Sequence, residues 1–460
     1  MLGKLSKRVL SILLAVLLVG ALTACNKSTD TKDTDTTGNG TGAGVNNGEG
    51  TTSDQPKEKV TITYWHIFPE GDVFKEVNDK LIKDFNDSQD EVYVEDLGIS
   101  FFDFLSKMDT AIPAGTGPDV AFYSAEDSNF RAAGGVLANL SPYIEKYNFD
   151  MSQFYPASVE PVTYEGDIYA MPFTWSSRML VYNKQMFRDA GLDPENPPKT
   201  LEELEAYADK LTQLDDKGNI KVMGFHPSLG NAQFYDYLEG RGGSFFDENN
   251  NPIINGQTVI DTLQWYVDMT NKYGVKQAQS LKSTSATTGI DPFLAGYVAM
   301  EVNVNDFYKK LSESDVDYGL CAIPIPANGG VHAADGGGFD LEVFDHGDQA
   351  KIEAAYKFVA YMTSVESQQY WAVQNKWPVA NQVAMETSEE IKADPNYQII
   401  VNELPYAIPN KYIAKAKNWW NLVAPEIEAA QNNLKTPEQA MNDAQAAVEA
   451  QFESYDATNK

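Results

Sequence analysis

The side chains best suited to catalysis are sparse and badly placed for it. His66, His226, His332 and His346 are far apart in sequence, and the cysteines are Cys25 and Cys321. No His-x-x-x-His or Cys-x-x-Cys spacing exists, so a metal site of either kind is not expected. There is no Gly-x-Ser-x-Gly nucleophile elbow and no glycine-rich phosphate loop closed by lysine. Asp247-Glu-Asn-Asn-Asn251 has the composition of a calcium loop, but it lacks the central glycine and the distal glutamate and reads as a turn. Nothing nominates a cofactor. Carboxylates are harder to dismiss. Among 66 Asp and Glu some pair must lie close in space, which keeps a carbohydrate-active hydrolase open, although most such acids simply solvate a surface.

Binding chemistry is better represented. Trp65 and His66 close an alternating segment and are followed by Phe68, Pro69 and Glu70. Phe173 and Trp175 follow a proline. Asn231, Gln233, Phe234 and Tyr235 follow a glycine. Gly336-Gly-Gly-Phe339-Asp340 presents a ring on a tight turn, and Trp419 and Trp420 stand together near a helix start. Flat rings beside carboxylates and amides suit a sugar, which offers C–H faces and a rim of hydroxyls; core packing competes for each of these rings.

The chain of 460 residues carries 35 Lys and Arg against 66 Asp and Glu, a net charge of −31. Such a surface repels nucleic acid and anionic lipid. Lys4, Lys7 and Arg8 precede an apolar run over 9–22 that is short for a membrane span, and then comes Leu22-Thr23-Ala24-Cys25. This resembles a bacterial lipobox. It implies that 1–24 is a signal peptide, that Cys25 is lipidated, and that the rest lies outside the cell, held to the membrane only by the lipid. Residues 25–57 are polar, contain no aromatic residue and are expected to be a flexible tether. Cys321, in an apolar strand-like stretch, then has no partner within the chain and is expected to pack.

Roughly 400 residues remain, enough for two domains. Val60–Trp65 alternates as a strand does, and Val73, Phe74, Val77, Leu81, Ile82 and Phe85 repeat at helical spacing. Val92–Val94 reads as a strand, Phe104–Ile112 as a helix closed by Pro113 and Gly115, and Pro118–Tyr123 as a third strand. This rhythm predicts a parallel α/β sheet. Thr200 and Glu203 form a capping box, as do Thr436 and Gln439. Residues 258–273 and 350–363 read as helices.

The order of segments resembles the extracellular solute-binding proteins of ABC importers, the large family that includes the maltodextrin-binding protein. Five blocks carry it: Val60–His66; Pro118-Asp119-Val120 with Gly134–Leu140; Gly166–Phe173 through Leu180–Lys184 to Pro198–Glu203; Phe293–Met300; and Ala322–Pro326 with the Gly336–Phe339 turn and the helix at 350–363. The resemblance implies an α/β fold of type II, with two discontinuous lobes joined by crossing strands near Pro172–Thr174, Ala299–Val302 and Phe339–Leu341. The first lobe would comprise 58–172 and 301–338, the second 173–300 and 339–456.

It implies no enzymatic step and no cofactor. The expected function is a monomeric, lipid-anchored solute-binding subunit that captures a sugar or oligosaccharide between its lobes and delivers it to a permease. The implied ligand-binding residues are Trp65, His66, Glu70, Ser124, Asp127, Phe173, Trp175, Asp306, Phe339, Trp419 and Trp420. In one departure, Val304-Asn305-Asp306 stands where relatives often have Gly-x-Trp, so a stacking ring is lost and a carboxylate gained. A cationic metabolite therefore stays open as ligand, as does a sugar acid if Arg178 or Lys184 reaches the cleft. A sensory binding protein is a further alternative.

Overall fold

A computed structural model describes residues 59–458. The expected signal peptide, Cys25 and tether lie outside the described residues. The chain opens with β1 (Val60–His66), α1 (Lys75–Ser88), β2 (Val92–Gly98), α2 (Phe101–Ala114), β3 (Val120–Ser124), α3 (Ser128–Ala133) and β4 (Ala170–Pro172). There follow β5 (Arg178–Asn183), α4 (Leu201–Leu211), α5 (Phe234–Glu239), α6 (Gln257–Tyr273), β6 (Met300–Val304), β7 (Tyr318–Cys321), β8 (Ala334–Gly336) and β9 (Phe339–Val343). The last elements used below are α7 (Gln349–Met362), α8 (Val365–Asn375), α9 (Pro395–Glu403), β10 (Ala407–Pro409), α10 (Trp420–Gln431) and α11 (Pro437–Thr458).

The α/β rhythm builds the first sheet, in the order β2-β1-β3-β9-β4. β1 runs parallel to β2 and β3, whereas β9 enters antiparallel between β3 and β4. Alternation along β1 buries Ile62 and Tyr64 in the first core. α1 covers them with Val77, Leu81, Ile82 and Phe85 and starts two residues later than its periodicity suggests, because Asp72 Oδ1 accepts from Phe74 N–H at 2.9 Å ahead of it. α2 ends on Gly115 in a left-handed conformation (φ 64°), as Pro113-x-Gly115 foretells. Both capping boxes form: Glu203 N–H donates to Thr200 Oγ1 at 3.1 Å, and Gln439 N–H to Thr436 Oγ1 at 3.2 Å.

The second sheet has the order β6-β5-β7, all antiparallel. Its central strand divides two cores. Met179 and Val181 face the first, and Leu180 and Tyr182 face the second with α4, α5, α6, α10 and α11. Cys321 is half-buried against the second core, where burial pushes its thiol up.

The continuation of the lobes departs from expectation. Residues 301–338 do not join the first sheet: β6 and β7 both pair with β5, and β8 lies beside α5. Nor does 339–456 go wholly to the second lobe. β9 completes the first sheet, α7 packs on β1, and residues 371–404 of the following helices join the first core, while α10 and α11 return to the second. The expected crossing at Ala299–Val302 is therefore a ladder strand, with Met300 opposite Tyr182 and Val302 opposite Leu180.

Two crossings run side by side. Phe173 and Thr174 N–H both donate to Phe339 C=O, at 3.0 and 2.9 Å, and Ser176 and Gly337 exchange hydrogen bonds of 2.8 and 3.2 Å. Gly338 is required there, since a Cβ on it would lie 2.1 Å from Thr174 O. Beyond the crossing, Asp340 and Glu342 point from β9 at α3. Arg131 Nε donates to both Glu342 oxygens at 2.7 and 2.9 Å, and Ser128 Oγ bridges the two acids. Burial, with Glu342 beside it, raises the Asp340 carboxyl well above the usual range.

Candidate functional site

The site is built where the crossings open into the second lobe. Arg178 begins β5 immediately after the first crossing. Its Nε donates to Asn231 O at 2.9 Å, and its Nη1 to both the carbonyl (3.1 Å) and the carboxylate of Asp335, which precedes the second of the paired crossings on β8. Asp236 lies 3.8 Å from Nε. It is fixed at the third position of α5 by a capping box: Gln233 N–H donates to its Oδ2 at 2.8 Å, and Asp335 N–H to its Oδ1 at 3.1 Å. Burial raises both aspartates and Arg178 pulls both down.

Further acids surround this pair. Glu239 lies one turn along α5 from Asp236, and burial with Asp335 and Asp236 nearby pushes its carboxyl up to about 10. Asp306, in the turn after β6, is pushed up to about 6 by burial, against the pull of Lys310 and Arg178. Glu126 projects from the first lobe after β3. It is exposed, yet the surrounding walls raise its carboxyl, Asp127 adds to the rise, and Arg178 opposes it. Its Oε1 would lie 3.9 Å from a Cβ at Gly337, which places it against the crossing. One arginine thus stands among five carboxyl groups. Among the described residues no cluster of His, Cys, Asp and Glu could hold a metal ion.

Beside this group lies a cavity of about 240 Å³ with Tyr235, Glu239, Phe245, Phe246, Lys411 and Trp419 in its wall. The rings support one another. Trp419 meets Phe246 edge-on at 4.9 Å and Phe245 at 5.3 Å, and Tyr235 lies 4.9 Å from Trp420. Tyr235 links cavity and charges: burial raises its phenol, and Asp335, Glu126 and Glu239 add to the rise. On the far side the first lobe touches the second through Phe130 and Tyr412, edge-on at 4.6 Å, with the Lys417 ammonium 5.1 Å from the Phe130 ring.

The residues named from sequence divide accordingly. Trp419 lines the cavity, and Trp420 braces Tyr235 behind it. Asp306 lies within the electrostatic reach of Arg178. Ser124 and Asp127 flank Glu126; Ser124 O accepts from Arg131 at 2.7 Å, and Asp127 is exposed. Phe339 is half-buried and stacks on Phe122 at 4.7 Å and 17°. The remaining residues are not brought here. Phe173 and Trp175 are core residues under the crossings, Phe173 edge-on to Trp371 at 4.9 Å and Trp175 Nε1 donating to Leu404 O at 3.2 Å. Trp65 packs towards α2 beneath the Lys107 ammonium, 4.4 Å from its ring. His66 is fully buried, accepting from Phe68 N–H at 3.3 Å and meeting Asp96 at 3.2 Å. Glu70 sits exposed in the turn after β1.

The sequence pattern does not mark Asp236, Glu239 and Asp335 as site residues. The one local signal was the spacing Gln233-x-x-Asp236, which caps a helix and so fixes an acid at its start.

The family described as bacterial extracellular solute-binding protein matches residues 80–399. The sn-glycerol-3-phosphate-binding periplasmic protein UgpB of Salmonella typhimurium is 25% identical over 415 residues, covering 84% of this chain and 90% of its own. A maltotriose-binding protein of Pyrococcus abyssi is 27% identical over 267 residues, covering 57% and 54%. Among solved structures, CpMnBP1 with mannobiose bound superposes with a TM-score of 0.72 at 25% identity, over 85% of this chain and all (100%) of that one.

Proposed function

Because this chain belongs to the bacterial extracellular solute-binding proteins, we propose that it captures a sugar or short oligosaccharide between its lobes and delivers it to the permease of an ABC importer. The observation that carries this reading is the cavity walled by Tyr235, Phe245, Phe246 and Trp419 beside polar Glu239. Rings that stack on C–H faces and a carboxyl that bonds hydroxyls are the two kinds of contact a sugar needs. The relatives divide between glycerol phosphate and sugars. The site favours the sugar, because a phosphate dianion would enter among five carboxyl groups with Arg178 already engaged by Asp335.

Hinge closure supplies the signal. Glu126 comes from the first lobe and Arg178, Tyr235 and Trp419 from the second, so a ligand that touches both sets favours the closed arrangement by its differential affinity. The lipobox-like Leu22-Thr23-Ala24-Cys25 supports attachment through a lipidated Cys25 at the outer face of the cell membrane. Among the described residues no helix is long and apolar enough to cross a membrane.

The test is a thermal-shift screen against mono- and oligosaccharides and glycerol 3-phosphate, with product analysis after prolonged incubation. A sugar that raises the melting temperature and is recovered unchanged supports the proposal. Stabilisation by glycerol 3-phosphate alone overturns the sugar, and consumption of a glycan overturns the binding role.

A further inference from the structure

We infer that the ligand carries a protonated amine, seated in the cavity formed by Tyr235, Phe245, Phe246 and Trp419 and facing Glu239. This rests on the binding function proposed above and names the chemical class of its ligand.

The cavity holds an acceptor without a donor. Glu239 is part of the cavity wall, and its Oε2 is buried with no hydrogen-bond partner. Asp335 Oδ1 is in the same condition nearby, in a side chain that is only 4% exposed. Buried carboxylate oxygens are rarely left this way, because each costs the desolvation of a polar group. An ammonium brings three donors and a charge.

The neighbouring cations are already engaged. Arg178 is committed to Asp335 and Asn231. Lys411 also lines the cavity, and its ammonium donates to the carbonyls of Phe246 and Asp247, at 3.4 and 3.2 Å. Neither cation bonds Glu239, which has Asp236 and Asp335 for neighbours. A hydroxyl would leave Glu239 holding its own proton, whereas an ammonium can take that proton's place, supplying both the donor and the charge that let the group ionise beside Asp236 and Asp335.

The aromatic wall also suits a cation. A cation near aromatic faces gains from their quadrupoles, and gains more where it is desolvated. The cavity, at about 240 Å³, is smaller than the ~300–1,000 Å³ of pockets that enclose a whole drug-sized ligand. It takes one end of a ligand, with the remainder extending towards Glu126 and the first lobe. An amino sugar or an amine-bearing oligosaccharide fits this description.

The experiment is titration calorimetry of the full chain with matched pairs: glucosamine and glucose, the deacetylated chitosan disaccharide and cellobiose, and spermidine as an amine without a sugar. The expected result is binding of the amino disaccharide about tenfold or more tighter than cellobiose. Glu239→Gln should shrink that ratio towards one, and Lys411→Gln, on an exposed side chain, should widen it. Equal or tighter binding of cellobiose overturns the amine and leaves the sugar-binding function standing. Binding of spermidine and of no sugar keeps the amine and overturns the sugar. Binding of none of the probes overturns both. An unchanged ratio in both variants overturns the assignment to this cavity.

Discussion

Arg178 Nη1 donates to the backbone carbonyl of Asp335 at 3.1 Å as well as to its carboxylate. The guanidinium therefore ties the strand that leaves one crossing to the strand that enters the other, and anchors the second lobe at its hinge. Replacing it strands Asp236 and Asp335 as buried acids. Arg178→Ala is expected to cost about 3–5 kcal/mol, the scale for breaking a buried ion pair from one side. Denaturant unfolding measures this, and a loss below about 1 kcal/mol would show that the aspartates take up protons and need no partner.

Trp419 and Trp420 are adjacent but unequal. Trp419 lines the cavity, whereas Trp420 packs against Tyr235. Trp419→Ala should weaken ligand binding by about 2 kcal/mol or more, as for a central aromatic contact. Trp420→Ala should lower affinity less. Calorimetry on both variants checks the order, and the reverse order would assign the ligand face to Trp420.

The hinge makes opposite demands on two neighbouring glycines. A Cβ on Gly338 would lie 2.1 Å from Thr174 O, but on Gly337 the nearest atom is 3.9 Å away. Gly338→Ala should destabilise by about 1–3 kcal/mol through overpacking, and Gly337→Ala should be close to neutral. Melting temperatures of the pair decide it; equal shifts would mean that the crossings slide apart freely.

Stability should fall as pH rises through neutrality. Burial pushes Glu239 up to about 10, so the folded state holds a proton that the unfolded chain releases near its ordinary value of about 4.3. The stability linked to that proton is complete below pH ~4 and is lost progressively as pH climbs towards 10. Glu301 and Asp340, both raised by burial, act in the same sense. The lowered Asp96 and Asp394 act in acid instead, where their protonation removes stability. The ligand-free melting temperature should therefore drop from about pH 5 to about pH 8, with a shallower slope in Glu239→Gln. Equal slopes would remove Glu239 as a source.

What was legible in the sequence was local. Alternation marks β1, and Thr200 with Glu203 marks the start of α4, because the chemistry that forms these features lies within a few residues. The sheet to which 300–304 belongs was not legible: Met300-Glu-Val-Asn-Val304 alternates equally well as a strand of either lobe, and only its ladder with β5 decides. The rings divide for a similar reason. Phe173 and Trp419 both looked like aromatics in polar surroundings, but Phe173 is buried against Trp371, and Trp175 is held by Leu404, 229 residues further along the chain. Glu239 ends the run Phe-Tyr-Asp-Tyr-Leu-Glu and reads as a solvated helix acid. What encloses it is β10 and the segment after it, which are made much later in the chain.

The insertion of β9 between β3 and β4 sets an order for synthesis. Until residue 343 has been made, the first sheet lacks the strand that joins two of its members, and β3 and β4 have nothing to bridge them. A nascent chain shorter than this cannot close its first core, however long it waits. Folding is thereby deferred to the last quarter of translation by long-range contacts of the slow kind. A chain that must be threaded through a narrow translocation channel before it folds would benefit from that delay, and the topology alone supplies it.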